Sequence, residues 1–93
     1  MAMPIANGSR PRLSRGVRLQ IDGTTDKGVL LFPEGILELN ETAQAILARC
    51  DGRPLYSIVA ELAEEYGTDL VTVLGDARET LGELQERRLI ELA

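Results

Sequence analysis

Alternating apolar and polar residues in the first half of the chain predict three short strands. Residues 17–21 place Val, Leu and Ile on one side and Arg and Gln on the other, the two-residue period of a half-buried strand. Residues 29–32 and 36–39 form two further apolar runs, joined by the sequence Phe-Pro-Glu-Gly. Pro33 presets the backbone angle of the first turn position, and Gly35 relaxes the exit from the turn. The pattern therefore predicts a three-stranded antiparallel meander.

After the third strand the apolar period lengthens to that of helices. Asn40 is a good N-cap for a first helix, which Gly52 is expected to end. A second helix is predicted over residues 56–66 and a third over residues 69–88, where apolar residues recur at spacings of three and four. Residues 89–90 are expected to pack back onto the core. The element order βββααα predicts an α+β fold, a three-stranded antiparallel sheet followed by a three-helix cluster.

Residues 1–14 differ in composition from the rest of the chain. They contain prolines and a glycine without any period, so we interpret them as a flexible arm or linker ahead of a domain spanning residues 15–93. Residues 1–18 hold four of the ten basic residues and none of the fifteen acids, which leaves six bases, fifteen acids and a net charge of −9 in residues 19–93. This charge is a poor fit for nucleic acid. A winged-helix DNA-binding regulator stays open as the rival interpretation, although its recognition helix would be acidic.

The sequence holds few groups for catalysis. It has no His, which removes the commonest general base and the usual imidazole metal ligand. Its single Cys, Cys50, lies on the apolar stripe of the first helix, where a core role is the stronger interpretation. One Cys and no apolar run long enough to span a membrane favour a cytoplasmic protein. We therefore expect no enzyme, no cofactor, no metal site, and neither nucleic acid nor membrane as partner.

Two features favour a binding role. The second and third strands carry large apolar residues on both faces, so one face or the free edge stays partly apolar. A bound partner explains this surplus as well as the chain's own tail or a neighbouring subunit does. In the third helix, Gly75 and Gly82 lie beside Arg78, where they leave a shallow groove or merely ease packing. Both features fit an extended peptide that adds as a strand and presses alternate side chains into a crevice between sheet and third helix.

Four segments of the chain resemble the PqqD family: GVRLQID, VLLFPEGILELNETAQAIL, CDGRPLYSIVAEL and GDARETLGELQERRLI. The resemblance implies a winged-helix-like fold and a peptide chaperone of pyrroloquinoline quinone (PQQ) biosynthesis. Such a protein would bind the ribosomally made precursor peptide PqqA and present it to the radical S-adenosylmethionine enzyme PqqE. The resemblance also implies fusion or association with PqqC in some members. A recognition domain of another ribosomal peptide modification pathway is the alternative, and a monomer or weak dimer is expected.

The resemblance also implies where the peptide lies, beside the third strand and against the third helix. Carried onto this chain, with Gly75 added from the predicted groove, the peptide-binding residues are Gly35, Ile36, Leu37, Glu38, Leu39, Leu70, Val73, Leu74, Gly75, Ala77 and Arg78. Glu79 and Glu83 on the acidic back of the third helix are a candidate contact for PqqE. Leu55 stands where the family often has a Ser or Thr helix cap, so the second helix is expected to start differently.

Overall fold

The sheet predicted from the alternating pattern is present. The computed structural model describes residues 5–93, and the strands of its central sheet are β2 at Arg18–Ile21, β3 at Gly28–Phe32 and β4 at Gly35–Glu38. They are antiparallel in the order β2–β3–β4, with Leu30 opposite Leu19 on one side and Leu37 on the other. Leu30 is fully buried, and the other two leucines pack against the same core. The predicted meander is therefore confirmed.

Three helices cover the face of the sheet that carries these leucines: α1 at Glu41–Leu47, α2 at Leu55–Tyr66 and α3 at Leu70–Glu86. Asn40 caps α1 as predicted, because its side-chain Oδ1 accepts the backbone N–H of Ala43 at 2.7 Å. Gly67 ends α2 in the left-handed conformation, with φ at 60°. The predicted α+β class, with three helices after the meander, is confirmed.

The first helix is shorter than predicted. It ends at Leu47 instead of continuing to Gly52. Arg49 and Cys50 donate their backbone N–H groups to carbonyls three residues back, the tighter pattern that commonly closes a helix. Taking Gly52 as the end of the helix therefore predicts a helix that is too long, because the helix closes several residues before this glycine.

A second sheet, of two strands, joins the two ends of the described chain. β1 at Pro11–Leu13 pairs antiparallel with β5 at Ile90–Leu92. Leu89 and Ile90 are buried, as predicted for residues that pack back onto the core. The strand at Pro11–Leu13 corrects the predicted arm, whose last residues belong to the folded domain. A three-residue strand is too short to show a period, and its partner lies at the far end of the sequence.

The segment before β1 caps the start of α2. The N-cap residue is Pro54, which has no side-chain acceptor. Instead, Leu55 donates its N–H to the carbonyl oxygen of Ser9 at 2.7 Å, and Tyr56 donates to that of Asn7 at 2.9 Å. We call residues 5–10 the capping segment, because their carbonyl groups satisfy first-turn N–H groups that a helix cannot pair internally. Residues 1–4 of the predicted arm lie outside the described residues.

The core lies between the central sheet and the helices and is aliphatic throughout. Its buried residues are Leu30, Ile46, Leu47, Leu55, Ile58, Val59, Leu62, Ala77, Leu81, Leu84, Leu89 and Ile90. Every one of the three helices and both sheets contribute to it, so a small chain obtains one continuous core. Within residues 5–93, no helix is both long and apolar enough to cross a membrane.

Candidate peptide-binding site

β4 is an outer strand of the central sheet, and its far edge is open. Along an antiparallel strand, successive residues point their main-chain groups alternately to the two sides. Leu39 donates its N–H to the carbonyl oxygen of Gly28 at 3.0 Å, so the main-chain groups of Leu37 also point towards β3. Those of Ile36 and Glu38 point away from the sheet. The open edge therefore offers the N–H and C=O groups of Ile36 and Glu38 for pairing with another strand.

The side chains of β4 alternate between the two faces of the sheet. Leu37 is half-buried and packs against the core beneath the helices, as does Leu39 after the strand. Ile36 and Glu38 occupy the outer face, where 67% of Ile36 is exposed. The apolar surplus predicted from the sequence is therefore real, and part of it lies at the open edge.

A crevice of about 200 Å³ separates β4 from the C-terminal half of α3. It is lined by Leu37, Glu38, Leu39, Asn40, Ala43, Thr80, Glu83, Leu84 and Arg87. Ala43 and Leu84 are buried and Leu37 is half-buried, whereas Glu83 and Arg87 are exposed. An apolar base with a polar rim suits the side chains of an extended peptide. The crevice adjoins the open edge because β4 forms one wall of it.

None of the six α3 residues predicted to contact a peptide lines this crevice. Ala77 is fully buried, and Leu74 is half-buried against the core. Val73 lines a separate groove of about 280 Å³, together with Tyr66. Leu70 is half exposed where α3 begins. These residues belong to the core or to the N-terminal half of the helix, whereas β4 faces the C-terminal half.

Gly75 and Arg78 lie on the flank of α3 that is turned away from the crevice. A helix advances about 100° per residue, so Arg78 and Thr80 are about 160° apart around the axis. The Arg78 guanidinium donates from Nη2 to Oδ1 of Asn7 at 2.6 Å, which shows that this flank faces the capping segment. A Cβ added at Gly75 would meet no atom within 4 Å. The surface beside Gly75, where the glycine groove was predicted, is therefore open and does not adjoin β4.

Four crevice residues at the C-terminal end of α3 are absent from the predicted peptide-binding set: Thr80, Glu83, Leu84 and the C-cap residue Arg87. Ala77, Thr80, Leu84 and Arg87 share one stripe at spacings of three and four, a signal that was available. The sequence pattern places Glu83 on the acidic back of the helix, whereas in the structure it lies at the rim of the crevice. From the helix alone Glu83 is expected to face solvent, because the position of β4 beside it is not visible in the helical pattern.

Two groups outside the crevice, Cys50 and Glu61, are engaged or protected. Cys50 donates from Sγ to the Ile46 carbonyl oxygen at 3.3 Å, and burial raises the pKa of its thiol to about 12. Glu61 accepts hydrogen bonds from Arg53 and Arg49, which hold the pKa of its carboxyl below its ordinary value. Within residues 5–93, no group of three His, Cys, Asp or Glu side chains could hold a metal ion. The open edge of β4 and the adjoining crevice combine unpaired main-chain groups with an apolar base, which is what an extended peptide requires.

Fold and site together define a class of protein. It is a winged-helix-like α+β domain whose open edge strand adjoins a crevice with an apolar base and a polar rim, the arrangement through which small domains accept an extended peptide. The chain belongs to the PqqD family, since the family model for Coenzyme PQQ synthesis protein D matches residues 27–90.

Two relatives support this membership over most of the chain. The "PqqA binding protein" of Xanthomonas oryzae pv. oryzae is 44% identical over 89 residues, which cover 95% of this chain and 97% of that protein. The "Bifunctional coenzyme PQQ synthesis protein C/D" of Methylorubrum extorquens is 39% identical over 82 residues, 87% of this chain and 22% of that protein.

A solved structure has the same fold. It is the solution NMR structure of the PqqD truncation of Methylobacterium extorquens PqqCD, which represents a functional and stand-alone recognition element for ribosomally synthesised and post-translationally modified peptides. The TM-score is 0.80 at 37% sequence identity, with 95% of this chain and 97% of that chain covered.

Proposed function

We propose that this protein is a non-catalytic peptide chaperone of PQQ biosynthesis that binds the precursor peptide PqqA and presents it to the radical S-adenosylmethionine enzyme PqqE. The observation that carries the proposal is the open edge of β4, where the main-chain groups of Ile36 and Glu38 point outward beside the crevice. The names of the relatives support the identity of the peptide.

Binding proceeds by strand addition. PqqA pairs its backbone with Ile36 and Glu38, and these hydrogen bonds give affinity without regard to sequence. Alternate side chains of the added strand turn towards the crevice, where Leu37, Ala43 and Leu84 supply apolar contact. Thr80 and Glu83 of α3, and Arg87 just after it, line the crevice from the other side. The peptide is thereby held on both flanks.

Holding one segment of PqqA leaves the rest of the peptide accessible to PqqE. The protein contributes position and PqqE contributes the chemistry, a division supported by the protected Cys50 and by the arginine-paired Glu61. Because the β4 edge must stay open for the peptide, the working form is a monomer or a weak dimer that leaves this edge free. A ribosomally made peptide is encountered in the cytoplasm, and we place the protein there.

Titration of ¹⁵N-labelled protein with synthetic PqqA tests the proposal. Amide resonances of Ile36, Glu38, Thr80 and Leu84 are expected to shift together. Shifts confined to residues 5–10, or the absence of any saturable shift, would contradict peptide binding at β4.

A pair of variants tests the strand pairing itself. Glu38→Pro removes one outward N–H, and loss of one net hydrogen bond weakens binding by up to about tenfold. Proline is tolerated on edge strands, and the pairing of β4 with β3 does not use this N–H. Glu38→Ala is the matched control, because it changes the same side chain and keeps the donor. Equal affinities for the two folded variants would refute main-chain pairing at this position.

A further inference from the structure

The outer face of the central sheet ends at β4 in two side chains with no strand beyond them. Arg18, Leu31 and Ile36 are directly opposite one another across the three strands and form one row. Gln20, Val29 and Glu38 form the next row. Leu31 and Val29 are half-buried, whereas Ile36 is 67% exposed and Glu38 is exposed. Each row therefore passes from a half-buried residue on β3 to an exposed one on β4.

A strand added at this edge would extend both rows. Side chains directly opposite each other in a sheet lie on the same face, with Cβ atoms about 5 Å apart. The peptide residues opposite Ile36 and Glu38 therefore project onto the outer face, away from the helices. The residue between them projects towards the crevice. Three consecutive peptide residues thus meet three different environments.

The two outer-face environments differ in chemistry. A side chain opposite Ile36 would cover an isoleucine that is mostly exposed, and Leu31 lies next in the same row. An apolar peptide residue is therefore favoured at this position, because it buries the most apolar surface there. A side chain opposite Glu38 would meet a carboxylate, and no cation of residues 5–93 lies within ion-pair distance of it. Opposite charges directly across a strand pair attract, so Lys or Arg is favoured there.

We infer that Ile36 and Glu38 determine which peptide sequence is accepted, by reading it from the outer face of the sheet. The preferred segment has an apolar residue opposite Ile36, an apolar residue in the crevice and a Lys or Arg opposite Glu38, read in whichever direction the added strand runs. This inference rests on the proposed strand addition at β4. It assigns to the outer face a selectivity that the crevice alone cannot supply, because the crevice contacts only the middle residue.

A charge-exchange experiment tests the role of Glu38. The probes are synthetic PqqA and a set of PqqA variants in which each Lys or Arg is replaced singly by Glu. With the wild-type protein, replacement at one position is expected to weaken binding by about twofold to fivefold, the range of a cross-strand ion pair. With Glu38→Arg, that same peptide variant should bind better than unmodified PqqA, and the other variants should keep their order.

Glu34→Arg is the matched control, because it makes the same charge change in the exposed turn between β3 and β4, outside both rows. If Glu34→Arg and Glu38→Arg alter all peptide variants alike, only the general charge of the protein matters and the inference is wrong. It is equally wrong if no single peptide position responds to Glu38→Arg.

Ile36→Thr tests the apolar position, since Thr keeps the β-branched shape and adds a hydroxyl. Affinity for PqqA is expected to fall, and the variant should become insensitive to Ala substitution at one apolar peptide residue that lies two positions from the responsive basic one. Unchanged sensitivity at every peptide position would overturn this half of the inference. A wild-type protein that does not bind PqqA would refute the proposed function as well. Binding that Glu38→Pro weakens, without position-specific responses, would refute this inference alone.

Discussion

Removing the capping segment should destabilise the protein by about 2 kcal/mol. Deletion of residues 1–9 takes away the carbonyl groups of Asn7 and Ser9, which accept the first-turn N–H groups of Tyr56 and Leu55. Pro54 at the N-cap provides no replacement acceptor. The start of α2 would then depend on water, although Leu55 in this turn is fully buried.

The magnitude follows from the two hydrogen bonds, which measure 2.7 and 2.9 Å. A typical protein hydrogen bond contributes about 0.5–1.5 kcal/mol net, so the pair contributes about 1–3 kcal/mol. Ile5 adds some apolar burial against the core, and the bond between Arg78 and Asn7 adds little because both side chains are exposed. For a domain of this size, about 2 kcal/mol lowers the melting temperature by roughly 8–16 °C.

Urea unfolding of the full chain and of the deletion variant measures the difference. Amide hydrogen exchange provides a local readout, in which Leu55 and Tyr56 should lose protection more than residues of α3. Asn7→Ala is the control, because it removes the bond to Arg78 and leaves the backbone carbonyl in place; its stability should stay within about 0.5 kcal/mol of the parent. A deletion variant as stable as the parent, with α2 amides equally protected, would refute the capping role.

Two further predictions concern single positions. Gly75→Ala should raise the free energy of unfolding in urea by about 0.5–1 kcal/mol, because Gly is a poor helix former and an added Cβ meets no atom within 4 Å. The affinity of this variant for PqqA should be unchanged. A loss of affinity would show that the far flank of α3 does contact the peptide. Cys50 should react with iodoacetamide very slowly at pH 8, because a thiol pKa of about 12 leaves only about one molecule in ten thousand as thiolate. Since the thiolate fraction rises with pH up to that pKa, the rate should climb about tenfold per pH unit through pH 10, and a rate at pH 8 equal to that in urea would contradict the burial of Cys50.

The parts of the fold that the sequence predicts are those set by local chemistry. Pro33 and Gly35 define the tight turn, and Asn40 supplies a cap oxygen three residues ahead of the N–H it accepts. Such signals act over a few residues, so they can be recognised without a model of the whole chain. The strand at Pro11–Leu13 is different, because its partner Ile90–Leu92 is separated from it by most of the sequence.

The candidate site could be predicted only in part, for the same reason. Ile36 and Glu38 could be placed on an edge strand from the period of the meander. Which side of α3 faces that strand depends on how the helix is rotated over the core, and a helical wheel leaves two flanks beside the apolar stripe. The two glycines favour the flank of Gly75 in the sequence, whereas the packing of Ala77 and Leu84 turns the flank of Thr80 towards β4.

The β1–β5 pair has a consequence for how the domain is connected to other proteins. Ala93 donates its backbone N–H to the Arg10 carbonyl oxygen at 2.8 Å, and the capping segment ahead of Arg10 spans at most about 20 Å. A second protein attached ahead of the capping segment or after residue 93 would therefore be tethered within about 20 Å of the same point relative to the open edge of β4. The effective concentration of the second protein near a bound peptide would then depend mainly on the length of the linker, and little on whether the linker is attached at the N- or the C-terminus. The same closeness would allow a circular permutant, with the old ends joined by a short linker and new ones opened in the exposed loop between β2 and β3.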